Sequence, residues 1–166
     1  MKEYPRIEIM DTTLRDGEQT SGVSFVAHEK LMIARMLLED LKVDRIEVAS
    51  ARVSEGEFQA VKLICDWAAR KNFLSRVEVL GFVDGNISVD WINRAGGRVL
   101  NLLTKGSEKH CKYQLKKTLE EHVADIRGEV AYARSKGMDV NVYLEDWSSG
   151  IQDSPEYVFG LMDGIK

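Results

Sequence analysis

Apolar positions recur along the chain at spacings that separate helices from strands. In three segments they stand three or four residues apart, which predicts amphipathic helices that bury one stripe. The three stripes are Leu31–Ala34–Leu38–Leu41, Phe58–Val61–Cys65–Ala68 and Val123–Ile126–Val130–Ala133.

Local signals fix where two of these helices begin. Ser54 and Glu57 have the spacing of a capping box, which predicts the start of the second helix. Thr118 and Glu121 have the same spacing before the third helix, which Gly137 should end.

Short apolar runs separate the helices. They are rich in Val, Ile and Leu and too short for helices, which is typical of strands covered on both faces. The runs are Ile7–Met10, Arg45–Ala49, Val77–Phe82, Val99–Leu103 and Val140–Leu144. With shorter helices predicted over Val89–Arg94 and from Ser154–Pro155, strands and helices alternate throughout. Such alternation predicts an α/β fold with a parallel sheet and right-handed crossovers.

Polar and charged residues gather at the carboxyl ends of these predicted strands. They are Asp11, Arg15, Asp16, Glu47, Tyr143 and Glu145. Functional side chains from several strands at one edge favour a (β/α)8 TIM barrel over an open sheet. The first turn also lacks the G-x-G-x-x-G of a nucleotide crevice. Because a barrel takes about 250 residues, we expect residues 1–166 to form the N-terminal portion of a single TIM-barrel domain, about its first five βα units, or to pair with another chain.

Composition and charge change this interpretation little. Hydrophobic residues make up 44% and charged residues 30%, as in ordinary globular proteins. The net charge of −4 gives no reason to expect nucleic acid or a membrane surface as a partner. No apolar stretch has the length of a membrane span, and the first ten residues lack a signal-peptide core. Cys65 and Cys111 form no metal or redox motif, so we expect a cytoplasmic protein with reduced thiols.

The stretch "DTTLRDGEQT" resembles the first-strand signature of the DRE-type metallo-barrel enzymes, the HMGL-like family. These are the 2-isopropylmalate, homocitrate and citramalate synthases and related lyases. The stretches "VEVLGFVDGN", "VLNLLTKGS" and "NVYLEDWSSG" resemble later strand ends of the citramalate synthase branch. The resemblance covers essentially the whole chain. It implies an acyltransferase of leucine and isoleucine biosynthesis that condenses acetyl-CoA with a 2-keto acid in a metal-dependent Claisen-type reaction.

The resemblance gives roles to the residues of the first signature. Asp16 matches the metal ligand, which implies Mg²⁺, Mn²⁺ or Zn²⁺, although spacing alone is explained as well by a salt bridge to Arg15. Arg15 would face the substrate oxygen that becomes an alkoxide, and Glu47 would hold this arginine in place. Gln19 would support the water shell of the metal. Gly17 would permit the tight turn between strand and site.

The remaining site residues come from later strands. Glu145 matches the general base that removes the methyl proton of acetyl-CoA, and strand alternation places its competitor Asp146 on the opposite face. Leu80, Leu103 and Tyr143 match positions that line the pocket for the keto-acid side chain, although bare sequence would assign the leucines to the core. Such a pocket favours pyruvate or 2-ketoisovalerate. The predicted catalytic residues are Arg15, Glu47 and Glu145, and Arg15 also binds substrate.

One part of the family pattern is missing. The family completes its metal site with a His-x-His pair, and no two of His28, His110 and His122 have that spacing. We therefore expect this segment alone to bind metal poorly and to turn over negligibly, and we expect the full-length protein to be a homodimer. Two alternatives remain: a catalytically idle half-barrel or interaction fragment, and a C–C lyase similar to HMG-CoA lyase. The lysine-rich loop "TKGSEKHCKYQLKK" would attract the phosphates of coenzyme A, or be a solvated face.

Overall fold

Five parallel strands pair in chain order in the computed structural model, which describes residues 6–50 and 52–166. The strands are β1 Met10–Asp11, β2 Arg45–Val48, β3 Val77–Phe82, β4 Val99–Lys105 and β5 Asp139–Glu145. The helices are α1 Ala27–Arg35, α2 Glu55–Arg70, α3 Ile87–Arg94, α4 Glu108–His110, α5 Leu119–Ser135, α6 Trp147–Asp153 and α7 Pro155–Gly164. The strands form a half-barrel with helices between them, which confirms the predicted fold class.

The two faces of this sheet differ in chemistry. The outer face packs on the helices and is apolar, with Ile46, Val48, Val77, Val79, Leu100 and Leu102 all buried in the main core. The inner face carries Arg45, Glu47, Glu78, Leu80, Asn101, Leu103, Asn141 and Tyr143. Successive side chains of a strand point to opposite faces, so both sets come from the same strands. The central strands β2 to β4 are largely buried on both faces, as predicted, but the inner face is largely polar.

The first strand is shorter and later than predicted. Only Met10 and Asp11 pair with β2, and Ile7 and Ile9 are 85% and 62% exposed. Among residues 6–50 and 52–166, β1 has a strand neighbour on one side only, so little apolar surface covers these isoleucines. The backbone of Ile9 is nevertheless held, because its N–H donates to Asp44 Oδ2 at 2.9 Å.

The first predicted helix changes its winding part-way. After α1 the chain continues as a π-helix over Met36–Leu41, and Lys42 ends it with a left-handed φ of 61°. The wider turn rotates later side chains away from the stripe. Ala34 and Leu38 are buried as predicted, whereas Leu41 is 68% exposed, so its place in the buried stripe is wrong.

The helix starts follow the predicted caps, with one informative exception. The reciprocal capping box of α5 is present. At α2, the Ser54 hydroxyl accepts from the N–H of Glu57 at 3.1 Å, but the Glu57 carboxylate pairs with Lys30 instead of closing the box. Lys30 is buried, and its Nζ also lies 2.6 Å from Glu18 Oε2. One lysine thus connects α1, α2 and the turn after β1.

The lysine-rich segment after β4 is helical rather than a loop. It contains α4 and a π-helix over Cys111–Leu115, and the Ser107 hydroxyl caps α4 by accepting from the N–H of His110. Three of its lysines form ion pairs: Lys105 with Glu145, Lys112 with Glu108, and Lys117 with Asp125. These pairs leave less positive charge for coenzyme A than the sequence suggested.

Two further observations concern the predicted cellular setting. Cys65 and Cys111 are both free and buried. Burial raises the pKa of the Cys65 thiol to about 12. Across the part of the chain that the structure describes, no helix has the length and apolar character needed to cross a membrane.

Candidate active site

The turn after β1 is organised around one backbone carbonyl. The N–H groups of Arg15, Asp16 and Gly17 all approach the Thr12 oxygen, at 3.0, 2.8 and 3.1 Å. A short 3-10 turn, Gly17–Gln19, follows. Glycine is not required at position 17, because an added Cβ would meet only ordinary contacts, the nearest being Thr13 Cγ2 at 3.6 Å. The conformational role predicted for Gly17 is therefore wrong.

The turn directs Arg15 towards the inner face of the sheet. Its Nε lies 2.6 Å from Glu47 Oε2, and its Nη1 lies 2.9 Å from Asp16 Oδ1. Glu47 is fully buried, whereas the Asp16 side chain is 63% exposed. The predicted Arg15–Glu47 pair is confirmed. Within the described ranges, Nη2 of Arg15 has no hydrogen-bond partner, so one terminal nitrogen is available to a ligand.

The second oxygen of Glu47 is occupied by an asparagine that sequence reasoning missed. Asn101 is fully buried at the centre of β4, and its Nδ2 donates to Glu47 Oε1 at 3.0 Å. The same Nδ2 donates to the Tyr143 hydroxyl at 2.9 Å. The Oδ1 of Asn101 accepts from Asn141 Nδ2 at 3.0 Å. Every polar atom of this amide therefore has a partner, as burial requires.

A second carboxylate extends the same network. Glu78 is buried beside Glu47 in the register of β2 and β3. Its Oε1 accepts from Arg45 Nη1 at 2.8 Å, and its Oε2 accepts from Asn141 Nδ2 at 3.1 Å. Each buried carboxylate thus has one arginine and one amide. A polar residue inside an apolar strand was the available signal, since such a residue needs a partner.

Tyr143 lies at the end of this network. Burial raises the pKa of its hydroxyl to about 12, and the negative charges of Glu47 and Glu78 add to the effect. The phenol therefore stays protonated near neutral pH. It accepts from Asn101 and directs its own hydrogen to Met10 Sδ, 3.6 Å away. This arrangement suits a group that shapes a pocket better than one that transfers protons.

The other predicted residues fall into two neighbouring clefts. The first has a volume of about 250 Å³ and is lined by residues that include Arg15, Gln19, Leu80 and Phe82. The second has a volume of about 190 Å³ and is lined by residues that include Leu103, Lys105, Glu145 and Phe82. Phe82 borders both, so the clefts meet at the carboxyl end of β3. The structure thus brings Arg15, Gln19 and Leu80 together, and places Leu103 with Glu145 beside them.

The end of β5 presents two carboxylates in different settings. Glu145 is partly exposed and forms an ion pair with Lys105, its register partner on β4. Asp146 accepts hydrogen bonds from Ser149 and Ser107, which lower the pKa of its carboxyl. A carboxylate stabilised in this way is a weaker base. Glu145 lines the second cleft, whereas Asp146 is not among its lining residues.

Comparison with known proteins agrees with this geometry. A family model described as HMGL-like matches residues 6–159. The chain belongs to the HMGL-like family. This match confirms the resemblance recognised in the first-strand signature. The roles of the individual site residues stay predictions.

The relatives are named synthases. A 2-isopropylmalate synthase of Saccharolobus solfataricus is 41% identical over 85% of this chain and 35% of its own length. A putative (R)-citramalate synthase of Methanopyrus kandleri is 37% identical over 95% of this chain and 29% of its own. A homocitrate synthase of the same organism is 40% identical over 83% and 33%. The chain therefore spans about a third of the length of the HMGL-like relatives it matches.

The described residues do not make up a complete metal centre. Residues 6–50 and 52–166 contain no group of three or more His, Cys, Asp or Glu side chains placed to hold an ion. Asp16 is an accessible carboxylate, but the neighbouring Asp11 accepts from the N–H of Thr13 at 2.8 Å. His122 is buried, with Nε2 at 3.0 Å from both Thr104 Oγ1 and the Lys105 carbonyl. The donors present therefore do not fit a divalent ion beyond the single carboxylate of Asp16.

Proposed function

We propose that this chain is the N-terminal part of the catalytic barrel of an acyltransferase that condenses acetyl-CoA with a 2-keto acid. The observation that carries the proposal is the guanidinium of Arg15, held by the buried Glu47 at the rim of a cleft. Such a fixed positive charge stabilises an oxygen that becomes negative during reaction. The names of the HMGL-like relatives support the same reaction class.

Each step of the condensation has a candidate residue. Glu145 takes a proton from the acetyl methyl group, which leaves an enolate. The enolate carbon attacks the keto carbon, and the keto oxygen takes up the negative charge beside Arg15. The alkoxide takes up a proton from water, and water then hydrolyses the thioester and releases coenzyme A as its thiol. Lys105 holds the Glu145 carboxylate at the mouth of the second cleft.

The metal implied by the family needs ligands that the described residues do not supply. We assign Asp16 as one ligand and infer that the others come from a longer polypeptide or from another chain. A bound Mg²⁺, Mn²⁺ or Zn²⁺ would supply Lewis-acid chemistry towards the keto acid. The same incompleteness is why we expect this segment alone to turn over negligibly.

The clefts favour a small keto acid with one carboxylate. Leu80 and Phe82 give the first cleft an apolar wall, and Leu103 does so for the second. Arg15 is the only basic residue among the described residues that line the first cleft. The second carboxylate of 2-oxoglutarate would therefore lack a partner there. We therefore infer pyruvate or 2-ketoisovalerate as the acceptor, which would correspond to isoleucine or leucine biosynthesis.

Release of the coenzyme A thiol from acetyl-CoA tests the proposal. The assay contains Mn²⁺ and, separately, pyruvate, 2-ketoisovalerate or 2-oxoglutarate. It is run on this chain and on a form extended to the full length of the HMGL-like relatives. We expect negligible turnover from the chain and turnover from the extended form with one of the first two acids. Arg15→Ala should abolish it, whereas Arg35→Ala, a change at an exposed helix position, should not.

The alternatives give different outcomes in the same experiment. An extended form that is silent with all three acids contradicts the synthase and favours an idle half-barrel or interaction fragment. Cleavage of a hydroxyacyl-CoA without condensation would favour a lyase. Strong turnover by the 166-residue chain itself would contradict the inference that ligands are missing.

A further inference from the structure

Asn101 occupies an unusual position for a neutral side chain. It is fully buried, and it lies between the carboxylate that holds Arg15 and the hydroxyl of Tyr143. Its two Nδ2 hydrogens are used by these two acceptors, at 3.0 and 2.9 Å. No apolar contact could replace both.

The direction of this amide is fixed by its neighbours. The Oδ1 of Asn101 accepts from Asn141 Nδ2, which also donates to Glu78 Oε2. An ionised carboxylate only accepts hydrogen bonds, so each amide must turn its NH2 group towards its carboxylate. A reversed Asn101 amide would place its oxygen 3.0 Å from Glu47 Oε1, so that two hydrogen-bond acceptors would face each other. The network therefore permits one orientation.

This orientation determines how Glu47 can bind Arg15. Guanidinium and carboxylate groups readily form two parallel hydrogen bonds. Here Glu47 accepts from Arg15 Nε at Oε2 alone, while its Oε1 is directed to the Nδ2 of Asn101. The pair therefore stays single, and Nη2 of Arg15 keeps no partner in the described parts of the chain. That nitrogen is the one available to a substrate oxygen at the first cleft.

We propose that Asn101 is a positioning residue that keeps Glu47 from binding Arg15 with both oxygens, and so leaves the Arg15 guanidinium free to bind substrate. Asn101 itself touches no reacting atom. The consequence for turnover rests on the proposed function, whereas the effect on Arg15 does not. Without Asn101, Oε1 of the buried Glu47 lacks a donor and turns to the nearest free N–H, that of Arg15.

The first test is made on the chain itself by ¹⁵N NMR of the arginine side chains. In the wild type, the Nε–H of Arg15 should exchange slowly with water, and its terminal nitrogens should be inequivalent and partly exposed. Asn101→Leu keeps the branching at Cγ and has no donor, and in this variant Nη2 of Arg15 should become protected about tenfold. Thr104→Val is the matched control, because it removes a buried polar group of β4 that contacts His122 but neither Glu47 nor Asn101.

The second test uses the extended form and separates positioning from stability. Asn101→Leu should lower kcat about 10–100-fold with little change in KM for the keto acid. Adding Glu47→Gln should restore part of kcat, because a glutamine has one acceptor oxygen and cannot bind the guanidinium twice. A purely structural role for Asn101 predicts no rescue by the second substitution.

The outcomes separate this inference from the proposed function. A rapidly exchanging Nε–H of Arg15 in the wild type overturns the inference without any variant, so a misfolded variant does not rescue it. Unchanged Arg15 signals in a folded Asn101→Leu also overturn it, even when the wild type turns over. A wild type that is silent with every keto acid overturns the proposed function, and the NMR result still decides the role of Asn101.

Discussion

The outer and inner faces of the half-barrel are buried for different physical reasons. On β4, Leu100 and Leu102 point to the helices, and Asn101 between them points to the inner face, yet all three are fully buried. Burial of the leucines is favourable because it removes apolar surface from water. Burial of Asn101 is tolerated only because each of its polar atoms has a hydrogen-bond partner.

The difference separates stability from function. Burying one leucine contributes about 1.5–3 kcal/mol. A typical internal hydrogen bond contributes about 0.5–1.5 kcal/mol net, and a buried ion pair often adds less than an apolar pair of similar volume. The polar inner face is therefore a costly way to build a barrel. Its presence is better explained by the role proposed for Arg15 than by the needs of folding.

Breaking the ion pair between Arg15 and Glu47 on the inner face should have the largest effect on the free energy of unfolding. Arg15→Met leaves Glu47 buried without its cation, and we expect the free energy of unfolding to fall by about 3–5 kcal/mol. Urea denaturation measures it. The double variant Arg15→Met with Glu47→Leu should recover most of the loss, since no charge is then left unpaired. A double variant as unstable as Arg15→Met alone would contradict the distinction between the two faces.

Neighbouring leucines on β4 provide a direct comparison of the faces. Leu102→Ala opens a cavity against the helices and should lower the free energy of unfolding by about 2–5 kcal/mol. Leu103→Ala, on the inner face at the second cleft, should cost less than half as much, because its side chain is partly exposed. In the extended form, Leu103→Ala should instead alter the preference among keto acids. Equal losses of stability would show that the two faces are not distinct in this way.

The smallest expected effect on the free energy of unfolding comes from His122, a buried polar residue beside the outer face. Burial lowers the pKa of His122, which contacts Thr104 and the Lys105 carbonyl; the nearby Asp125 opposes this shift and Lys117 adds to it. The native state thus binds fewer protons than the unfolded state below a pH of about 6.5. Stability is fully present above that pH and is lost as the pH falls through the native pKa, with a slope of at most about 1.4 kcal/mol per unit.

Urea denaturation between pH 7.5 and pH 5 would measure this slope, using about one-unit steps around the reference pKa. His122→Gln should flatten it, because glutamine does not titrate. His28→Gln, at an exposed position, should leave it unchanged. A slope that survives His122→Gln would assign the pH dependence to other groups.

Much of the architecture was predictable because local and long-range signals agree. The strands β2 to β5, the cap of α5 and the Arg15–Glu47 pair all follow from apolar runs, capping spacing and a charged residue in an apolar strand. The exposed Leu41 was not predictable, since nothing in the sequence signals the change from α-helix to π-helix. The position of β1 was missed because Ile7 and Ile9 look apolar but lie at an edge.

Individual residues of the candidate site could be predicted from the sequence, but most of the hydrogen bonds that join them could not. Family resemblance proposed Arg15, Asp16 and Glu145 as site residues, which stay predictions, but it did not predict that Asn101 and Asn141 join two buried carboxylates. Such contacts depend on the register of β3, β4 and β5, which residue spacing does not define. The same rule applied to Glu47, that a buried polar residue needs a partner, would have pointed to both asparagines.

Because β1 is so short, it should be among the first parts of the molecule to unfold locally. β1 pairs with β2 only at Met10 and Asp11, whereas β4 and β5 pair from Val99 to Lys105 along their whole length. Local unfolding begins where the fewest interactions must break, so amide hydrogens around β1 should exchange first. The turn that carries Arg15 follows directly on this two-residue strand. We therefore expect a partly unfolded state in which β2 to β5 remain folded and the arrangement around Arg15 is lost.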